Sequence, residues 1–263
     1  MLRDDCASAG DNFQFQLLAP SWGDVPLGHR PARVDDHLHS KLIFDTQVVR
    51  GLALQEYGSV GTKLLPDGRH YQQIDRECWH VLLQNSEGSV LGCARYRPIK
   101  GGFAQLAASQ SPLAYSDRYG AMLKSAIETQ IVSAGTRNVH YGEAGAWALR
   151  REVRGTTAAV NIALMTFALA EHLGGGMGIT TATRLYHSAS ILRRLGGQRL
   201  ADLPAYYEPK YGSVIEILHF SSENLGSRYA ARLEKLRSQI AHTPVICAAA
   251  VEGQPFELQQ TIN

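Results

Sequence analysis

The side chains best placed to do chemistry lie between Glu143 and Thr157. Residues 143–149 (Glu-Ala-Gly-Ala-Trp-Ala-Leu) are short, mostly apolar and followed by charge, which suits a buried strand with one carboxylate at its start. Arg150, Arg151 and Arg154 come next, and Arg154-Gly155-Thr156-Thr157 opens a long apolar helix. The first N–H groups of a helix lack partners within it and lie on a dipole that favours anions. A strand, a glycine turn with three nearby arginines and a helix start thus make a phosphate seat. Arginine offers a bidentate fork, and Gly155, Thr156 and Thr157 offer backbone and hydroxyl donors. Each arginine is equally at home as a solvated surface charge.

Other groups stand near this stretch. Glu143 has Ala144, Ala146 and Trp147 as neighbours, surroundings that raise a carboxyl pKa. Its rival role is to satisfy a backbone or arginine partner. Arg95 stands among small and apolar residues and needs a partner wherever it is buried. A ligand carboxylate, Asp75 and Glu143 are the candidates. His140, next to Tyr141 and three residues before Glu143, is a second candidate proton carrier. Tyr186 and His187 close a predicted strand over 179–185, where α/β sheets tend to bind ligands; capping by Ser188 is the rival for His187. His80, between Trp79 and Val81, reads as a satisfied core histidine.

The elements that must position these groups follow from periodicity. An irregular stretch, 1–37, holds one alternating run at 13–18 that suits an edge strand, then breaks at Pro20, Gly23, Pro26, Gly28 and Pro31. It reads as an arm laid over the surface. Residues 36–57 have helical spacing, and 58–72 form a polar, glycine-rich loop suited to a lid. Residues 78–83 and 89–96 are strand-like and joined by Asn85-Ser-Glu-Gly88, an antiparallel hairpin. Helix 117–134, strand 139–149, helix 156–173 and strand 179–185 follow, with Gly174-Gly175-Gly176 ending the second of these helices. A short helix at 187–195, an aromatic turn at 206–211, a strand at 213–220 and a helix at 227–241 complete the order. The fold class is α/β with a mixed sheet, since hairpin-linked strands run antiparallel and helix-linked strands usually parallel.

Bulk properties set limits. The chain has 263 residues, enough for a sizeable core, and is 44% apolar and 19% charged with a net charge of +2. Without a basic run it offers no general nucleic-acid surface. Cys6, Cys78, Cys93 and Cys247 are widely spaced and form no Cys-x-x-Cys pair, so they read as reduced thiols of a cytoplasmic protein and not as a zinc site or disulfide framework. No window has the length and apolarity of a membrane span.

The order of elements, with a helix opening at Arg154-Gly155 after the fourth core strand, resembles the GNAT acyltransferase fold. More narrowly, residues 40–220 resemble the bacterial N-acyl amino acid synthases and the acyl-homoserine-lactone synthases. Asp75 to Leu83 with Gly88 to Tyr96 is similar to that branch's second and third strands, and Arg95 and Glu143 stand where those enzymes place an arginine and an acidic residue. Arg154-Gly155-Thr156-Thr157 takes the place of the Arg-x-x-Gly-x-Gly/Ala pyrophosphate loop. Ser190-Ile-Leu-Arg-Arg-Leu-Gly-Gly197 resembles the segment that ends the GNAT core. Two positions depart from the pattern: Thr157 replaces the loop's second glycine, and Leu192 stands where many acetyltransferases carry a tyrosine acid.

The resemblance implies a mostly antiparallel GNAT-like sheet flanked by helices, with an N-terminal arm (1–37), an acyltransferase domain (38–222) and a C-terminal helix and tail (223–263) packed on it. It implies transfer of a medium or long acyl chain from an acyl-phosphopantetheine thioester, on coenzyme A or an acyl carrier protein, to a primary amine, foremost of an amino acid. Glu143, with His140 as second candidate, would accept the amine proton. Backbone N–H groups at Trp147, Ala148 and Leu149 would hold the thioester oxygen if the strand splays. Arg150, Arg151, Arg154, Gly155, Thr156 and Thr157 would hold phosphate, and Arg95, Asp75 and Tyr186 the acceptor. No permanent cofactor or metal is implied. Two alternatives remain: a homoserine-lactone synthase, against which Glu143-Ala-Gly-Ala-Trp147 replaces that family's Glu-x-Ser-Arg-Phe, and a non-catalytic thioester-binding module.

Overall fold

The computed structural model describes residues 13–21, 32–58, 61–200 and 202–249. Cys6 and the predicted breaks at Gly23, Pro26, Gly28 and Pro31 lie outside them. The elements in order are β1 (Gln14–Leu18), β2 (Ala32–Val34), α1 (Asp36–Glu56), β3 (Trp79–Gln84), β4 (Val90–Ile99), α2 (Gly120–Thr136), β5 (His140–Leu149) and α3 (Ala158–His172). Then come β6 (Gly175–Thr183), α4 (Ser188–Arg194), β7 (Gln198–Arg199), β8 (Tyr206–Glu208), β9 (Ser213–Ser221), α5 (Ala230–Ile240) and β10 (Val245–Cys247). Among the described residues the ten strands form one mixed sheet in the order β2-β10-β1-β3-β4-β5-β6-β9-β7, with β8 also on β9. Only β5–β6, β1–β10 and β10–β2 are parallel.

Helices cover both faces. On one, α1 packs through Leu42 and Val49 onto Leu82 and Cys93, and α2 through Leu123 and Ile127 onto Tyr141 and Ile179. On the other, α3 and α5 pack through Ile162, Leu169 and Leu236 onto Val81, Ala94 and Phe220. The period of two along a strand then sorts β5: Tyr141 and Glu143 face α1 and α2, while Gly142 and Ala144 face α3. The hairpin forms as its turn residues predict. Asn85 accepts the N–H groups of Glu87 and Ser89, and Gly88 takes φ +80°.

Three expectations are corrected. Residues 14–18 are not an edge strand, because β10, in a stretch without readable periodicity, pairs with β1 at Leu17↔Val245. Leu17, Leu18 and Ala19 are core residues, so this part of the predicted surface arm lies inside the sheet. β6 starts at Gly175 rather than Ile179, since only Gly174 (φ +78°) turns the chain. Glycines at 175 and 178 are strand residues: a Cβ there would meet the Ala170 carbonyl at 2.7 Å and the Gly142 carbonyl at 2.3 Å. The loop proposed as a lid is tied at several points: Thr62 donates to the Lys210 carbonyl at 2.6 Å, the His70 N–H donates to the Gln47 carbonyl at 3.0 Å, and Arg50 donates to the His70 carbonyl at 2.8 Å.

Candidate active site

β5 and β6 pair from His140↔Gly175 to Ala144↔Thr180 and then part. β5 runs on to Leu149 beside β4 alone, and β6 runs on to Thr183 beside β9. From Gly145 onward the edge of β5 that faces the gap has no strand partner. A bulge lies beside the parting: the β4–β5 register shifts between Cys93 and Arg95, and opposite it Ala146 takes φ +53°. A left-handed alanine costs about 1–2 kcal/mol. Such strain clusters at functional sites, where the surrounding structure enforces it.

On the α3 face the parting borders an apolar cavity that, with its open mouth, encloses about 740 Å³ of empty space. Its walls are small residues of β5 and β6 (Ala144, Gly145, Gly178, Thr180), Trp147, and the inner side of α3 from Ala163 to Glu171. Tyr96 of β4 closes one part of it. The buried Trp147 Nε1 has no protein partner.

On the opposite face lie the charges. Glu143, its side chain 11% exposed, accepts the Ala107 N–H with both oxygens at 2.9 and 3.1 Å and has Arg97 at 3.6 Å. Burial raises its pKa, opposed by the Ala107 N–H and the charges of Arg97 and Arg95. Asp75, 1% exposed, accepts two bonds from Arg50 (2.6 and 2.5 Å) and one from Arg95 (2.9 Å). Burial alone would raise the Asp75 pKa, but the hydrogen bonds and charge of Arg50, with His80 and Arg95, outweigh it and hold the carboxyl at about 2. Arg95 spends Nη1 on Asp75 and Gln72 (2.6 Å) and is 14% exposed. The Asp75 carbonyl bonds His80 Nε2 at 2.7 Å, and burial lowers that histidine to about 4, so His80 is the satisfied core residue expected. Burial likewise pushes the Cys78 and Cys93 thiols up to about 11.

The outer end of the gap is the segment Arg150–Thr157. Gly155 takes φ +74°, and Thr156 Oγ1 accepts the Ala158 N–H while donating to the Val153 carbonyl, which starts α3. Gly155, Thr156, Thr157 and Arg151 are exposed there, and Arg150 is half-buried. Arg154 is already committed. It donates to the Leu149 carbonyl at 3.0 and 2.9 Å, pairs with Glu56 at 2.5 Å and lies over the Tyr57 ring. Tyr186 stacks on that ring at 3.9 Å and donates to the Tyr57 carbonyl. Both residues clasp α1 to the rim.

The structure therefore gathers Glu143, Arg95 and Asp75 on one face, and Trp147 to Leu149 with Arg150, Arg151 and Gly155–Thr157 along the gap. It does not bring His140 to them: that ring packs at Gly174, where β5 starts, an end of the strand away from the gap. Asp75 is buried behind Arg95 rather than open to a ligand. Tyr206, from the predicted aromatic turn, packs with the α2-side core. Arg50, Arg97 and Ala107 escaped the sequence reading. Arg50 alone left a trace, as a charge at a position of α1 that shares the buried 39-42-43-46-49-53 stripe. Among the described residues no group of three or more His, Cys, Asp or Glu is placed to hold a metal ion, and no helix is long and apolar enough to cross a membrane.

No protein-family model matches the chain, and no curated protein matches it. Solved structures do. A CoA-dependent acyl-homoserine lactone synthase, BjaI, bound to SAM and isopentyl-CoA, superposes with a TM-score of 0.54 at 13% identity, over 91% of this chain and 95% of that one. The acyl-homoserine lactone synthase LasI gives 0.50 at 15% identity over 80% and 91%. TofI, in a ternary complex with an inhibitor and MTA, gives 0.50 at 16% over 84% and 96%. The likeness is one of fold: the chain shares the mixed α/β architecture of these structures.

Proposed function

We propose that the chain is an N-acyltransferase that moves a medium or long acyl chain from a phosphopantetheine thioester, on coenzyme A or an acyl carrier protein, to the primary amine of an amino acid. The observation that carries this reading is the parting of β5 and β6, which joins a charged face holding Glu143 and Arg95 to an apolar cavity on the other face. The pantetheine arm lies along the unpaired edge of β5, with its phosphate against Arg150, Arg151 and the N–H groups of Gly155 to Thr157. The acyl chain enters the cavity, and the thioester oxygen meets backbone N–H groups within Trp147–Leu149 on the edge of β5 that faces the gap. From the other face, Arg95 turns its remaining donors to the acceptor's carboxylate.

Glu143 takes the proton from the amine. The neutral nitrogen forms the C–N bond, the C–S bond breaks, and the proton shed by the new amide nitrogen passes through solvent to the departing thiolate. A raised carboxyl pKa suits a base that works near neutrality. His140 has no part in these steps. The fold likeness to a synthase bound to isopentyl-CoA supports the thioester donor.

The test offers the protein acyl-CoA and acyl-carrier thioesters with a panel of amines and follows free thiol. Thiol release that needs both substrates is expected; thioesters left intact throughout would sink the reading. S-adenosylmethionine belongs in the panel because that fold relative binds it, and a lactone product would make the chain a homoserine-lactone synthase.

A further inference from the structure

Tyr96 stands on the α3 face of β4 and is 4% exposed. Its ring crosses two neighbouring strands. A Cβ on Gly142 of β5 would stand 2.4 Å from the ring edge and hydroxyl, and one on Gly175 of β6 would stand 2.5 Å from the hydroxyl. The same Gly175 position meets the Ala170 carbonyl of α3 at 2.7 Å, so the ring's tip is wedged between sheet and helix. The hydroxyl has no hydrogen-bond partner in the protein. Nothing polar holds the side chain there, so shape and volume account for its placement. It fills the space left by two side-chain-less strand positions, at the end of the cavity away from the parting of β5 and β6.

We infer that Tyr96 is the stop that sets how long an acyl chain the cavity accepts, a specificity role that rests on the acyltransferase reading above. Ala170, Gly176 and Gly178 in the lining there are small, and the Tyr96 ring is the bulky group that stands directly over Gly142 of β5 and Gly175 of β6. Each further methylene admitted to an apolar cavity is worth roughly fourfold in kcat/KM.

The experiment measures kcat/KM and binding isotherms against thioester chain length for the wild type, Tyr96→Phe, Tyr96→Ala and Ala170→Leu, with thermal melts to confirm folding. Tyr96→Phe keeps the ring and should keep the wild-type length optimum. Tyr96→Ala should move the optimum to longer chains, gaining roughly fourfold per added methylene. Ala170→Leu narrows the same end from α3 and should move it to shorter ones. A folded Tyr96→Ala protein with the wild-type optimum overturns the inference. If that variant does not fold, an unmoved optimum in Ala170→Leu overturns it instead. A wild type that neither consumes nor binds any thioester overturns the acyltransferase reading itself, a distinct result from an unmoved length profile.

Discussion

Glu143 holds the backbone N–H of Ala107 with both carboxylate oxygens, a contact between β5 and a loop 36 residues earlier. That amide fixes the carboxylate on the α1–α2 face of the sheet, beside Arg95 and Arg97, and supplies one donor for its charged form. Replacing Glu143 by Gln keeps the shape and removes the base. Thiol release should fall about 10²- to 10⁴-fold while the melting temperature stays near wild type. The wild-type rate should rise with pH through the raised pKa of Glu143, and the Gln variant should lose that dependence. Equal rates for the two proteins would remove Glu143 from the chemistry.

Arg95 presents donors beyond those it spends on Asp75 and Gln72. In Arg95→Ala, KM for a carboxylate-bearing amine should rise roughly 10- to 100-fold, the worth of a hydrogen bond to a charged group. The same amine as its carboxamide should show little change. A uniform loss across both acceptors would mean that Arg95 serves the fold alone.

Asp75 is a stability prediction. Its buried carboxylate neutralises the buried Arg50 and the mostly buried Arg95, so Asp75→Asn leaves buried charge uncompensated and should cost about 3–5 kcal/mol in denaturant unfolding. The pH sign follows from the folded pKa of about 2 lying below the unfolded value of 3.8. The stabilisation is fully present above the unfolded value and is lost as pH falls from about 4 to about 2. An acid unfolding profile identical in the wild type and Asp75→Asn would contradict it.

Gly155 has open space where a Cβ would stand but a φ of +74°, so its need is conformational and not steric. Gly155→Ala should cost about 1–2 kcal/mol at the start of α3. It should also raise KM for the thioester more than for the amine. An increase in the amine KM alone would move the phosphate seat elsewhere.

How far the sequence was legible follows from which forces act locally. The β3–β4 hairpin, the α1 stripe and the opening of α3 are written in turn residues and apolar spacing within a few positions, and all three form as read. Glu143 and Arg95 were found from their setting on strands. Of the partners of Arg95, Asp75 was among the candidates and does pair with it. Gln72 beside Arg95, Arg50 behind Asp75 and Ala107 on Glu143 were not foreseen, because they reach the site through tertiary contacts across more than 20 residues, which no local pattern encodes. The parting of β5 and β6 was expected on family likeness alone, because an alanine at φ +53° carries no mark of its conformation. Glycines misled where they serve packing: Gly175 and Gly178 look like chain breakers and are strand residues beneath a tyrosine and a carbonyl.

β1 lies between β3, which belongs to the early hairpin, and β10, whose residues 245–247 come more than 225 positions after it. The order of synthesis therefore matters to this sheet. While the chain is being made, β1 can join β3 as soon as the hairpin exists, yet its other flank keeps bare N–H and C=O groups until Val245 has left the ribosome. β5 and β6 are complete well before that moment. Any nascent chain stalled short of β10 would thus carry the cavity complete on a sheet with an open side, which the last of the described strands closes.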